Sequence, residues 1–240
     1  MNKNVIPISL FFIIIALSFL SFQIINEDKI LSHIVDLKKQ NLEFYWKNEK
    51  NENLSNFDKL KQWLDKKSER LIFATNGGMY LKDRSPQGLF IQNGILKKKI
   101  DTIQEGYGNF YLQPNGVFSV TNKNEGIICP SIDFSNQDVK FATQSGPMLL
   151  IDGKIHSKFR EGSKNLNIRN GVGILPDGRL IFGMSKQEIN FFDFASYFKS
   201  LGCKNALYLD GFVSRTYLPS KDWVSIDGSF GVIIAETEKK

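Results

Sequence analysis

Cysteine and histidine are almost missing from these 240 residues, and each shortage removes a class of chemistry. Two of each occur: Cys129 and Cys203, His33 and His156. Two thiols are too few for a structural zinc site. A disulfide between them is permitted outside the cytoplasm, but nothing in the sequence places the two sulfurs together. Neither histidine sits in a pattern from which a catalytic triad or a His-rich metal site can be built. A P-loop, a dinucleotide fingerprint and a nucleic-acid-binding motif are also lacking. The net charge of +6 is spread along the chain, and Lys97-Lys98-Lys99 and the terminal Lys239-Lys240 read as solvated faces, with no nucleic acid as partner. A mildly basic surface of this kind suits an anionic partner such as phospholipid, a phosphorylated glycan or a wall polymer.

What is present begins with an apolar leader. After Lys3, no charge appears until Glu27, and the run from Val5 to Phe22 is apolar apart from three serines and a proline. A basic start followed by such a run is an export signal, and its length approaches the ~20 residues that span a bilayer as a helix. No convincing cleavage site follows it, which favours an uncleaved anchor over residues 1–25, membrane-bound through 5–25. With Lys3 retained inside, the rest of the chain faces the extracytoplasmic side, tethered to the cytoplasmic membrane or released to the periplasm. Residues 26–69 then read as a polar, partly helical stalk and lead-in, with a strand around Leu42 to Trp46 and with Asn56 capping a helix that carries Phe57, Leu60, Trp63 and Leu64 on one face. Residues 70–240 form a single domain.

Within that domain the pattern is mostly β. Asn93-Gly94, Pro114-Asn115-Gly116, Asp152-Gly153 and Asp177-Gly178 each lie between apolar runs and predict hairpin turns. One helix interrupts them, starting at Asn190 or Asp193 and ending at Gly202, with Phe191, Phe194, Ala195, Phe198 and Leu201 along its apolar side. The expectation is an α+β fold: a mixed, mainly antiparallel sheet with a few packed helices.

Four apolar runs stop abruptly at small and polar residues. They are Leu71 to Tyr80 (through Asn76-Gly77-Gly78), Phe141 to Leu150 (through Gln144-Ser145-Gly146), Ile168 to Ile174 (through Arg169-Asn170-Gly171), and Tyr208 to Arg215 (through Asp210-Gly211). Any one of these breaks has a sufficient explanation as a turn. Together they describe strand ends converging on one pocket, where glycine lets backbone approach a ligand and short polar side chains face it.

These four segments, in this order and spacing, resemble the motifs of the phosphodiester glycosidase family, and the similarity runs from about residue 70 to the C-terminus. Ser85-Pro86-Gln87-Gly88-Leu89 and Leu112-Gln113-Pro114-Asn115-Gly116 are similar to a bacterial, envelope-associated branch. One departure stands out: many members follow the aspartate with a glycine-rich run, whereas here Phe212 and Val213 precede Ser214. The resemblance implies hydrolysis of a sugar joined to phosphate through its anomeric carbon, with a carbohydrate or phosphoglycan as substrate.

That chemistry differs from ordinary glycoside hydrolysis, which uses one carboxyl group to protonate the leaving oxygen and a second as nucleophile or base. A phosphomonoester is already a good leaving group and needs cationic stabilisation more than a proton. One prominent aspartate and one prominent arginine therefore suffice. Asp210 is expected as nucleophile or as the base that activates water, and Arg169 as a phosphate clamp. Asn76, Gln144, Ser145 and Ser214, with backbone amides of Gly77, Gly146 and Gly211, are expected to hold phosphate oxygens and sugar hydroxyls. Arg84 and Arg215 are second-tier phosphate ligands. Two alternatives stay open: Asp210 and Arg169 forming a buried ion pair, and a non-catalytic protein that binds an envelope glycan or lipid headgroup in the same pocket. Asp210 and the amide oxygens are hard ligands that suit a divalent cation, but no metal motif is visible and the sequence requires no cofactor.

Overall fold

A computed structural model describes residues 29–210 and 213–240; the apolar leader, Gly211 and Phe212 lie outside the described residues. In chain order the elements are β1 (Ile30–Val35), β2 (Asn41–Tyr45), α1 (Phe57–Asp65), β3 (Glu69–Asn76), β4 (Phe90–Gln92) and β5 (Ile95–Lys98). Next come β6 (Gly116–Thr121), β7 (Gly126–Pro130), β8 (Val139–Ser145), β9 (Met148–Ile151), β10 (Lys154–Ile155), β11 (Asn170–Ile174) and β12 (Leu180–Ser185). The chain closes with α2 (Phe191–Ser200), β13 (Ala206–Tyr208), β14 (Thr216–Leu218), β15 (Trp223–Val224) and β16 (Ile233–Lys239).

The strands form three sheets, ordered β1-β12-β11-β13-β9-β10, β15-β14-β3-β16-β2 and β5-β4-β8-β6-β7. Their ladders run antiparallel, so the mixed sheet expected from sequence is replaced by three antiparallel ones. Short glycine-bearing connections favour this outcome, because a parallel pair needs a long crossover. All three sheets turn one face to a common core that includes Phe73, Phe118, Phe141, Phe182 and Ile234. The outer faces of two sheets are covered by helices. Along β16, Ile234 points into the shared core while Ile233 and Ala235 pack toward α1, the period-2 alternation of a strand buried on both sides. α2 covers Leu149, Leu150 and Ala206 in the same way.

Both helices start where the sequence places them. Asn56 and Asn190 accept hydrogen bonds from the N–H groups of Lys59 and Asp193 (2.8 Å each), caps worth about 1 kcal/mol apiece. Gly202 closes α2 with φ +80°, a conformation that favours glycine. Two sequence expectations need correction. The strand expected around Leu42 forms as β2, but the supposed stalk also contributes β1, and both join the sheets, paired with β16 and β12, where His33 Nε2 meets Glu236 Oε2 at 2.6 Å across two sheets. A polar stretch passes for a stalk when its inward residues, here Leu31, Val35, Leu42 and Phe44, alternate with outward polar ones. Pro114-Asn115-Gly116 is no hairpin: residues 109–111 form a 3₁₀ turn, and Asn115 is buried with its amide donating to the Phe110 carbonyl (3.1 Å).

Candidate active site

Strands β3, β11 and β13 bring three of the four motif segments to one edge of the core. β3 ends at Asn76, β11 begins at Asn170 beside Arg169, and β13 ends at Tyr208 and leads into Asp210. Two buried asparagines lock these ends together. Asn76 donates through Nδ2 to the Asp210 carbonyl (2.6 Å), and its Oδ1 accepts from the Arg215 N–H (2.9 Å). Asn170 Nδ2 reaches Thr75 Oγ1, Asn76 O and Asn76 Oδ1 at 3.0, 2.9 and 3.1 Å. The Ser214 hydroxyl lies 3.2 Å from Asn170 Oδ1 and 3.3 Å from the Ile168 carbonyl. Asn76 therefore holds the backbone at Asp210 and Arg215, and Ser214 ties its own segment to the start of β11.

Asn170 belongs to a motif segment but is absent from the expected ligand set, although it precedes a glycine just as Asn76 does. Its replacement by alanine removes the donor from two buried acceptors on Asn76 and one on Thr75. A loss of about 2–3 kcal/mol in urea-unfolding free energy is expected. A loss under about 0.5 kcal/mol, the scatter of ordinary surface substitutions, would show that the strand ends hold without it.

Asp210 is half-buried on this platform, its N–H donating to the Gly77 carbonyl at 3.1 Å. Tyr80 is near enough to feel its charge. The Tyr80 pKa is raised, first by burial and then by Asp210, with Arg84 opposing. Its hydroxyl donates to the Ser229 carbonyl (2.6 Å), and the Arg84 guanidinium lies 5.0 Å from its ring centroid.

Arg169 is completely buried. Its Nε donates to the Ile189 carbonyl (2.8 Å), Nη1 to the Tyr208 hydroxyl (3.2 Å), and Nη2 to the carbonyl and Oδ1 of Asn165 (2.9 and 2.8 Å). Its guanidinium stacks 3.6 Å from the Phe191 ring centroid. Every acceptor here is a neutral oxygen, so the buried ion pair with Asp210 is not formed. Burial lowers the Arg169 pKa, opposed by Tyr208, yet a guanidinium stays protonated throughout the accessible range. A cation held only by dipoles is well prepared for an anion. Four of its five N–H groups are engaged, two of them by Asn165, an exposed residue of the loop before β11.

The Phe191 ring continues a stack through Phe159 (4.7 Å) to His156 (4.7 Å). His156 is buried; its Nδ1 accepts from the Lys158 N–H (3.2 Å), which leaves Nε2 to donate to the Gln113 carbonyl (3.0 Å). Burial holds its pKa below the ordinary value. The neutral ring thus contributes stability that is fully present above the unfolded pKa of ~6.5. Below that value the unfolded chain binds the proton more readily, so stability falls as pH drops toward the folded pKa. Acidification from about pH 7 to about pH 5 is expected to destabilise the protein more than a His156→Gln variant; equal pH slopes in parallel melting curves would refute this.

The fourth segment serves the fold. Gln144 is fully buried, its Oε1 accepting from the Leu89 and Asp101 N–H groups (3.0 and 2.8 Å) and its Nε2 donating to Asp101 O and Ser131 Oγ (2.8 and 3.1 Å). With every hydrogen-bonding position filled, it has none left for a substrate. A Cβ on Gly146 would come within 2.7 Å of Asn115 Cβ, which explains that glycine by packing. The Gly77 N–H is likewise spent on the Val232 carbonyl (2.8 Å). Ser145 differs: its hydroxyl is buried without a hydrogen-bond partner. Arg215 pairs with Asp227 at 3.1 Å, and Gly211 lies outside the described residues.

A model of the phosphodiester glycosidase family matches residues 69–231, a stretch holding all four segments. The uncharacterised protein YigE of Escherichia coli K12 is 33% identical over 227 residues, covering 90% of this chain and 89% of its own. Among solved structures, the zebrafish N-acetylglucosamine-1-phosphodiester alpha-N-acetylglucosaminidase catalytic domain, auto-inhibited by its pro-peptide, superposes with a TM-score of 0.52 at 14% identity. That match covers 86% of this chain and 87% of that one. A putative exported protein of Burkholderia pseudomallei gives 0.55 at 9% identity over 86% and 73% of the two chains. At such identities the structural matches establish the shared fold.

Proposed function

Because the chain belongs to the phosphodiester glycosidase family, we propose that it hydrolyses a sugar-1-phosphodiester of an envelope or extracellular glycan. The bond from the anomeric carbon to the phosphate oxygen breaks, and its electron pair leaves on the phosphate, which departs as a monoester. Water supplies the new oxygen on the sugar. Asp210 acts either as nucleophile, its ester with the sugar then being hydrolysed, or as the base that takes the proton of the attacking water.

The observation that carries this reading is Arg169: a buried cation with only neutral partners, joined through Tyr208 to the strand that leads into Asp210. Phosphate replaces Asn165 as acceptor on Nη2, giving the leaving group its charge stabilisation. Asn76, Asn170 and Ser214 keep the 210–215 loop in place during the reaction. The zebrafish protein's named substrate makes N-acetylglucosamine-1-phosphodiester the first compound to try. Incubation of the full chain with that and related sugar-1-phosphodiesters should release free sugar and phosphomonoester. Binding without release across the panel would favour a glycan-recognition protein instead.

In this proposal the leader tethers or exports the enzyme to the extracytoplasmic side. No helix among the described residues is long and apolar enough to cross a membrane, so the anchor would be residues 5–25 alone. Full-length protein should pellet with membranes and a 26–240 variant should not; equal partitioning would argue against an anchor.

A further inference from the structure

Beside Tyr80 lies a cleft of about 630 Å³ whose walls include Asn53, Lys59, Trp63, Lys66, Arg84 and Ser229. Three cations and one carboxylate, Glu52, line it, and the carboxylate already accepts from Asn48 Nδ2 (2.7 Å). The neighbouring lysines of α1 are paired: Lys61 with Asp65 at 3.3 Å, and Lys67, just past its end, with Glu49. Lys59, Lys66 and Arg84, the cations that line the cleft, have no carboxylate partner among the described residues. Asn53 adds a second sign of an absent ligand, since its Oδ1 is buried without a hydrogen-bond partner. The amide of an asparagine turned by about 180° presents a donor at that point, so the position serves a ligand of either polarity.

Tyr80, three residues after the Gly77 whose carbonyl accepts from the Asp210 N–H, links this cleft to the candidate active site through two contacts. Tyr80 donates to the carbonyl of Ser229 and carries the Arg84 guanidinium over its ring. Arg84 itself has φ +66°, a left-handed conformation that is uncommon for a side-chain-bearing residue. The Asp83 carboxylate stabilises this turn by accepting from the N–H and hydroxyl of Ser85 (3.0 and 2.6 Å). The arginine that lines the cleft and stacks on Tyr80 is thus held in a left-handed turn.

We propose that this cleft is the subsite for the leaving side of the substrate and that it takes an aglycone carrying a further anionic group, such as a second phosphate. The inference rests on the hydrolase reading for the words "leaving side", and on the cleft alone for the anion. An oligomeric, phosphate-bearing glycan would then be preferred over a simple alkyl phosphodiester, because its second charge meets the three cations that line the cleft.

Two measurements on the full chain test it. In low salt, calorimetric titration with inorganic triphosphate should show binding that weakens at least about tenfold in a Lys59→Ala/Lys66→Ala variant. A Lys97→Ala/Lys99→Ala variant, with the same charge removed from an exposed segment at the end of β5, should keep the wild-type affinity. Both lysine pairs are exposed, so neither change threatens the fold. Equal affinity in wild type and the Lys59/Lys66 variant, or no binding at all, overturns the proposal. The second measurement compares kcat/KM for two phosphodiesters of one sugar, with a phosphorylated and a neutral aglycone. Wild type should prefer the phosphorylated one, and the Lys59/Lys66 variant should lose most of that preference. Turnover of both esters at one ratio in both proteins leaves the hydrolase standing and removes the subsite. Lysine-dependent triphosphate binding with turnover of neither ester removes the hydrolase and leaves an anion site.

Discussion

Replacing Asp210 by asparagine will lower turnover of any sugar-1-phosphodiester substrate by about 10³-fold or more, with the thermal midpoint almost unchanged. The expectation follows from where the two halves of the residue are used. Its backbone N–H and carbonyl are tied to Gly77 and Asn76, and those bonds survive the substitution. In the proposed reaction its side chain supplies the carboxylate, and an amide of nearly the same shape is neither a nucleophile nor a base at neutral pH. Substrate affinity should therefore persist while kcat collapses. A D210N protein retaining more than a tenth of wild-type kcat would remove Asp210 from the chemistry.

The second large effect concerns Arg169. Alanine at this position should cost about 2–4 kcal/mol of transition-state stabilisation, roughly a 30- to 1000-fold loss in kcat/KM. It will also lower stability, because the Ile189 and Asn165 carbonyls lose their donor and the Phe191 ring loses the group stacked on it. Stability loss alone can mimic a catalytic defect, so Arg169→Lys is the informative partner. Lysine keeps the charge but has no planar fork to satisfy Ile189, Tyr208 and Asn165 together. It should recover more of the thermal midpoint than of the turnover. Full turnover in either variant, measured on folded protein, would mean that the buried cation is structural only.

Much of the architecture could be read from local chemistry. Asn56 and Asn190 cap the helices as their positions imply, and the Asn93-Gly94 and Asp152-Gly153 turns take left-handed φ values of +51°, +73°, +49° and +75°. Sheet partition was not legible. The pairings of β1 with β12 and of β2 with β16 join residues more than 100 positions apart, and no local propensity encodes which edge a strand meets.

At the site, the sequence located the converging strand ends but not the division of labour among them. Gln144 and Asn76 are polar residues at strand ends, as ligands are. Only the three-dimensional partners reveal that both are engaged by backbone and side-chain groups of the fold. Tyr208 and Asn165 escaped notice for the converse reason. A tyrosine in an apolar strand reads as core, and an asparagine in a polar loop reads as surface, yet both hold the Arg169 guanidinium.

The central claim concerns which bond breaks, and one isotope experiment reads it directly. Hydrolysis of N-acetylglucosamine-1-phosphodiester in ¹⁸O-water, followed by mass spectrometry of the phosphomonoester, distinguishes the two cleavage points. Attack at the anomeric carbon leaves the bridging oxygen on phosphate, so the monoester will carry no ¹⁸O. A monoester labelled with one ¹⁸O would place the attack at phosphorus and make the protein a phosphodiesterase, contradicting Asp210 as the group that acts at the sugar and Arg169 as the clamp on a departing phosphate.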